Sequence, residues 1–365
     1  MVKTVVVRAP GKLMLMGEYA VTQVGHPGVV MAIDRFLTCT VEPYPQYLLE
    51  FPDLNVPPMR ANDWHALGEQ MTRVPRLDLM SHVLTLAARY LEEERVSVPT
   101  FHLTVRSELQ NEAGVKYGLG SSAAVSVAVA AGFLSYALRH PVPRDPIFKL
   151  AAAAHVISQG NGSCADIAAA CYGGLLRYER FDADWLNDRL GGGGSLHALV
   201  QSAWPWLHIQ RLPKGPELCL KIGWTGEPAS TPALLQRMAT FQAQYPERFK
   251  KFVGESDEAV ELFIDAMQAS NGRALLEAVK ANRTALQRLG LEAHVPIETD
   301  AIQRGLSTVA QLGGAGKSSG AGGGDAILAW FFAPEPAEQL RKQWREDGIL
   351  LLPVSSSDQG VSIEP

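Results

Sequence analysis

The sequence predicts an α/β (α+β) protein of two domains, residues 1–213 and 214–365, and three observations predict it. The chain has 365 residues, long enough for two domains or one large one, and its 47% apolar and 19% charged shares are ordinary for a protein with a sizeable core. Period-two apolar patterning fills the first forty-odd residues, whereas helical spacing governs most of Thr231 to Leu312. Two glycine-rich stretches, 118–124 and 313–325, each adjoin an apolar element, one in each half of the chain.

The composition also excludes some functions. Net charge is −5 and the pI about 6.0, so no basic field recruits nucleic acid or an acidic membrane surface. The segment Met1 to Val7 runs straight into a strand pattern and lacks the apolar core and cleavage site of a signal peptide. Cys39, Cys164, Cys171 and Cys219 form no C-x-x-C pair and have no zinc-ligand spacing. Free thiols in a cytoplasmic protein are the expectation.

Taken in order, Val5-Val6-Val7 reads as a short strand ended by Ala9-Pro10-Gly11. Lys12 follows between two apolar runs, a place where lysine needs a partner unless it sits at a loop tip. Gly25 to Gly28 is a turn, and Val29 to Ile33 and Leu37 to Glu42 are two further strands. Prolines and aromatics from Tyr44 to Arg60 predict an extended loop, Asp78 to Glu94 a helix, and Phe101 to Arg106 a strand. Ser107 to Val115 is then a polar loop leading into Lys116-Tyr117-Gly118-Leu119-Gly120-Ser121-Ser122-Ala123-Ala124.

The glycine loop opens a small, apolar helix that stops at Arg139-His140-Pro141. Free N–H groups and the positive dipole end make such a helix start an anion site, and a serine hydroxyl there can ligate Mg²⁺ or bond phosphate. The same residues would also serve as a turn ahead of a core helix. The spacing matches neither G-x-x-x-x-G-K-[ST] nor G-x-G-x-x-G. A membrane span is excluded because the run falls short of the ~20 residues needed and Ser126 and Ser135 interrupt it.

Ile147 to Ile157 is an alanine-rich helix, after which Asn161 or Ser163 caps another that carries Asp166 in its first turn. Asp166 stands among small and apolar residues, at the edge of a core or facing solvent. Tyr172 to Tyr178 gives a turn and a strand, Gly191 to Gly194 a loop without assigned chemistry, and Leu218 to Trp224 a strand. Four amphipathic helices precede the second loop, Gly313 to Asp325, which leads into the apolar strand Ala326 to Phe332. So many glycines, each costing a helix about 1 kcal/mol, point to close backbone approach to a ligand. Ser355 to Pro365 is expected to be partly ordered at best.

Three separated pieces then line up. Ala9-Pro10-Gly11-Lys12 with Gly17-Glu18-Tyr19, Gly118 to Ala124, and Ser319-Gly320-Ala321-Gly322-Gly323-Gly324-Asp325 resemble, in order, the signature motifs of the GHMP small-molecule kinases. Gly17-Glu18-Tyr19, Lys116-Tyr117-Gly118, Asp166 in Asn161 to Asp166, Gly223-Trp224-Thr225-Gly226 and Lys317 to Asp325 are most similar to the bacterial-type phosphomevalonate kinases. Cys164 and the Gly191 to Gly194 run depart from that pattern.

The resemblance implies an N-terminal α/β domain and a ferredoxin-like C-terminal domain with ATP and acceptor in the cleft between them. It implies transfer of the ATP γ-phosphoryl group to phosphomevalonate, with mevalonate kinase or another GHMP small-molecule kinase as the alternative and a non-catalytic sensor as a third reading. Lys12 and Asp166 become the catalytic pair. Lys116, Gly118, Leu119, Gly120, Ser121, Ser122 and Ala123 hold the nucleotide, with Ser121 or Ser122 near Mg²⁺. Lys12, Glu18, Tyr19, Ser163, Ser319, Gly320, Ala321, Gly322 and Gly323 line the acceptor side. No nucleic acid or membrane partner is expected, and the protein is a monomer or homodimer.

Overall fold

The computed structural model describes residues 3–54, 56–110, 117–160, 162–226, 231–324 and 326–364. Two long antiparallel strands, Val5–Met16 and Pro27–Pro43, form the centre of an eight-stranded sheet. The strand order is Ser362–Glu364, Val5–Met16, Pro27–Pro43, Phe101–Ser107, Tyr47–Phe51, Val56–Ala61. Leu175–Glu179 also pairs with Pro27–Pro43 and carries His208–Arg211 on its far side.

Pro10-Gly11 does not end the first strand as the sequence suggested. The register shifts between Pro10 and Lys12, and the strand continues to Met16. Proline has no donor for the ladder, so a bulge absorbs it. The shift turns the Lys12 N–H out of the sheet, where it donates to the Leu119 carbonyl at 2.8 Å. The first strand is thereby tied to the first glycine loop.

Two other expectations change. The separate strands Val29–Ile33 and Leu37–Glu42 are one strand of 17 residues, continuous through the half-buried Asp34-Arg35-Phe36. The Tyr44 to Arg60 stretch is a hairpin, not a loop, with its prolines at 57 and 58 on the edge strand Val56–Ala61, where a missing N–H costs no ladder bond.

Helices Asp78–Glu93, Ser121–Leu138, Arg144–Gln159 and Ala165–Tyr172 pack together, and the second and fourth of these lie on the central strands. Ser121–Leu138 buries 14 residues and is apolar all round, as a helix enclosed on every side must be. Contrary to the expectation from length, its 18 residues are long and apolar enough to cross a membrane, but 78% of it is buried inside the protein.

The second sheet has four antiparallel strands in the order Leu350–Leu352, Cys219–Trp224, Ala326–Phe331, Ala315–Ser319. The expected helices appear as Thr231–Gln244, Pro246–Gln268, Gly272–Ala293 and Asp300–Gln311, joined by Pro336–Glu346. The start of the second glycine stretch is not loop: Ala315–Ser319 is an entirely buried strand, and the loop proper begins at Gly320.

The chain finally returns to the first sheet. Ser355 accepts from Asp34 N–H, Ser357 accepts from Gly174 N–H, and Ser362–Glu364 pairs with Val6 to Arg8. The tail expected to be loose is a built part of the N-terminal domain. Its packing against Gly173 is tight enough to predict from. A Cβ at Gly173, whose φ is +72°, would lie 2.1 Å from the Gly360 nitrogen. Gly173→Ala should therefore lower the melting temperature by about 5 °C or more, read by thermal unfolding. A shift within about 1 °C would show that the tail moves aside freely.

Candidate active site

The first glycine loop and Lys12 are in contact. Gly120, with φ +82°, is the N-cap of Ser121–Leu138, and a Cβ there would meet Lys12 Cγ at 2.7 Å and Cε at 3.0 Å. The lysine stem lies across the glycine, which is why only glycine fits. Its half-buried side chain crosses the open N-terminus of an 18-residue helix. Ser121 and Ser122 are the first two residues of that helix, half-buried and exposed respectively. Gly118, Leu119 and Ala123 complete the turn, with Leu119 and Ala123 buried beneath it.

This cradle suits a polyphosphate: backbone N–H groups at a helix start, a lysine ammonium and two hydroxyls. Among the described residues no group of three His, Cys, Asp or Glu could hold a metal ion by itself. Mg²⁺ bound through phosphates and one or two side chains requires no such cage. Lys116, Asp325, Asn161 and the 111–115 part of the polar loop lie outside the described residues.

Asp166 sits half-buried in the first turn of Ala165–Tyr172, a helix packed on the Val5–Met16 strand. Its N-cap position is Cys164, at φ +62°, and the Ser163 hydroxyl accepts from the first-turn Ala165 N–H at 3.3 Å. Ser163 is held by its own carbonyl, which accepts from the Tyr178 hydroxyl at 2.5 Å. Burial pushes the Cys164 thiol up, so it stays protonated and unreactive. The expected Lys12–Asp166 pair is not formed: Asp166 Oδ1 accepts from the Ile167 N–H at 3.0 Å, and neither side chain joins an ion pair among the described residues. A first-turn backbone donor has taken the carboxylate.

The acceptor-side residues divide into two kinds. Ser319 Oγ donates to the Met14 carbonyl at 2.9 Å, and Tyr19 donates its phenol to the Ala321 carbonyl at 2.6 Å. Burial pushes the Tyr19 phenol up, which keeps it a donor. Gly320 and Gly322 frame that turn, and Gly323 donates to the Ile297 carbonyl at 3.1 Å. Glu18 does not face open space. It is 2% exposed and pairs with Lys317, a residue of the second domain.

Sequence reasoning missed Lys317, because the strand that carries it was read as loop. The signal was present: a lysine between small residues beside an apolar strand needs a buried partner. It also missed Tyr117 against Trp224, edge to face at 5.2 Å, which joins the first loop to the second sheet. The two domains meet through Tyr117–Trp224 and through residues 14–19 with 317–321, and also through the His26–Asp257 and Arg177–Glu261 ion pairs.

A fold of this topology with a lysine over a glycine-capped helix fits a small-molecule kinase of the GHMP class. The GHMP kinases N terminal domain matches residues 81–174 and the GHMP kinases C terminal domain residues 263–350. A phosphomevalonate kinase from Streptomyces sp. (strain CL190) is 31% identical over 98% of this chain and 99% of its own. The chain belongs to the phosphomevalonate kinase family of GHMP kinases.

Solved structures share the fold, two of them along nearly the whole chain. The Lin0012 protein from Listeria innocua is 32% identical, with a TM-score of 0.90 over 99% of both chains. Streptococcus pneumoniae phosphomevalonate kinase, solved in complex with phosphomevalonate and AMPPNP, is 24% identical, with a TM-score of 0.84 over 96% of this chain and 99% of that one.

Proposed function

We propose that this chain transfers the γ-phosphoryl group of ATP to 5-phosphomevalonate, giving 5-diphosphomevalonate and ADP. The observation that carries the reading is the 31% identity with the Streptomyces enzyme along essentially the whole of both chains. ATP, when bound with Mg²⁺, supplies the electrophilic phosphorus. Everything else is positioning and charge neutralisation, which is what phosphoryl transfer chiefly needs.

On this reading the N–H groups at Gly120 to Ser122 hold the polyphosphate, and Ser121 or Ser122 reaches Mg²⁺. Lys12, already lying along Gly120, carries its ammonium to the phosphoryl group in flight. Asp166, on the helix packed against the same strand, orients that ammonium once the ligands are in place. Ser319, Ala321 and Gly322 shape the acceptor side from the second domain. The reaction belongs in the cytoplasm, where the four free thiols would persist.

ADP release measured with phosphomevalonate, mevalonate, homoserine and galactose tests the proposal. Turnover is expected with phosphomevalonate, and preference for any of the other three would overturn it. Replacing Ser121 and Ser122 together with alanine should raise the KM for Mg·ATP at least about 10-fold, the worth of one or two charge-assisted contacts. Both are surface-accessible first-turn residues, so the fold survives. Unchanged ATP kinetics in the folded double variant would take the loop out of nucleotide binding.

A further inference from the structure

The Glu18–Lys317 pair has no role in the chemistry just described, yet it is the most enclosed ion pair of the described residues. Lys317 has 0% and Glu18 1% of its side chain exposed, and 299 residues separate them. Lys317 Nζ also donates to the Ser318 carbonyl at 2.7 Å, immediately before the second glycine loop. Two hydrogen bonds flank the pair, Ser319 to Met14 and Tyr19 to Ala321. Along the chain the crossings run 14 to 319, 18 to 317 and 19 to 321.

Cohesion alone does not explain these charges. Two well-packed apolar side chains would join the domains at least as firmly, because desolvation offsets most of the attraction of a buried pair. Part of the cost is visible, since Glu18 Oε2 and Ser318 Oγ are buried without hydrogen-bond partners. What a charged pair adds over an apolar one is a fixed distance and direction.

We propose that Glu18 and Lys317 are positioning residues that fix the Gly320–Gly324 loop against the strand bearing Lys12. The claim rests on the reading that this loop forms the acceptor side. The segment 12–19 and the segment 315–321 then behave as one body across the domain boundary. On the nucleotide side the two domains touch through the Tyr117–Trp224 ring pair.

Either single neutral replacement strands a buried charge and is expected to unfold or badly destabilise the chain. Glu18→Gln with Lys317→Met removes both charges and keeps the volume. This double variant should fold, show at least about 10-fold faster amide exchange at 315–324 with residues 119–126 unchanged, and lose about 10²-fold in kcat at an unchanged KM for Mg·ATP. Wild-type exchange and wild-type kcat in the folded double variant would overturn the proposal.

If the double variant does not fold, Glu18→Asp decides. It keeps the charge pair but shortens one arm, so kcat and loop protection should fall together, and retention of both would refute the positioning role. The exchange measurement stands apart from substrate identity. A wild-type enzyme inert toward phosphomevalonate would sink the functional reading, while faster exchange in the same double variant would still support the positioning role.

Discussion

Replacing Lys12 with methionine lowers kcat about 10³-fold and leaves the KM for Mg·ATP within a few-fold of wild type. The reasoning starts from where the ammonium is carried. Its stem lies on Gly120, the N-cap of the helix, with a Cβ there 2.7 Å from Lys12 Cγ. Ground-state ATP is held mostly by the backbone N–H groups and hydroxyls of that start. Charge on the transferring phosphoryl group is what the ammonium meets, and a contact made in the transition state is lost from kcat. Methionine keeps the stem volume, so the loop keeps its shape. A variant that retains more than half of wild-type kcat would remove Lys12 from the mechanism.

Asp166→Asn lowers kcat about 10- to 100-fold and leaves the acid limb of the pH–rate profile where it was. An alcohol acceptor must lose its proton to attack, and a base then contributes about 10²–10⁴-fold. A phosphate monoester has a second pKa of about 6, so near neutrality its attacking oxygen is mostly ionised and a base has little to remove. kcat/KM with phosphomevalonate should therefore fall below about pH 6 as the acceptor itself takes up a proton. The role left to Asp166 is to orient Lys12. Its carboxylate now bonds Ile167 N–H and must turn toward the ammonium for that, which asparagine does less well. Profiles for wild type and Asp166→Asn decide the matter. If the limb vanishes in the variant, Asp166 is the titrating base and the orienting role fails.

What the sequence made legible follows a physical rule. Helices with long, uninterrupted periodicity were found nearly to the residue, as with Asp78–Glu93 and Asp300–Gln311. The glycine-capped start of Ser121–Leu138 was also visible, because local backbone chemistry alone demands it. Strands at Pro10, at Pro57-Pro58 and along Ala315–Ser319 were missed, since proline and glycine read as breakers until a partner strand supplies the bulge or the edge. The site divides the same way. Residues within one motif, Lys12 and Gly120 to Ser122, were legible one by one. Contacts between motifs were not: the Glu18–Lys317 pair and the absence of a Lys12–Asp166 pair depend on distances no spacing encodes.

The strand Ser362–Glu364 has a consequence for the order in which the molecule is made. It closes the edge of the first sheet along Val6 to Arg8, yet it leaves the ribosome only after the whole second domain. Throughout that interval the N-terminal sheet presents an open row of backbone donors and acceptors beside Arg8, the exposed cation of that stretch. The sheet begun by Val5–Met16 is thus extended by a strand that follows the second domain in sequence. A chain cut before Ser362 would leave Val6 to Arg8 without that partner strand and the backbone groups along it unpaired.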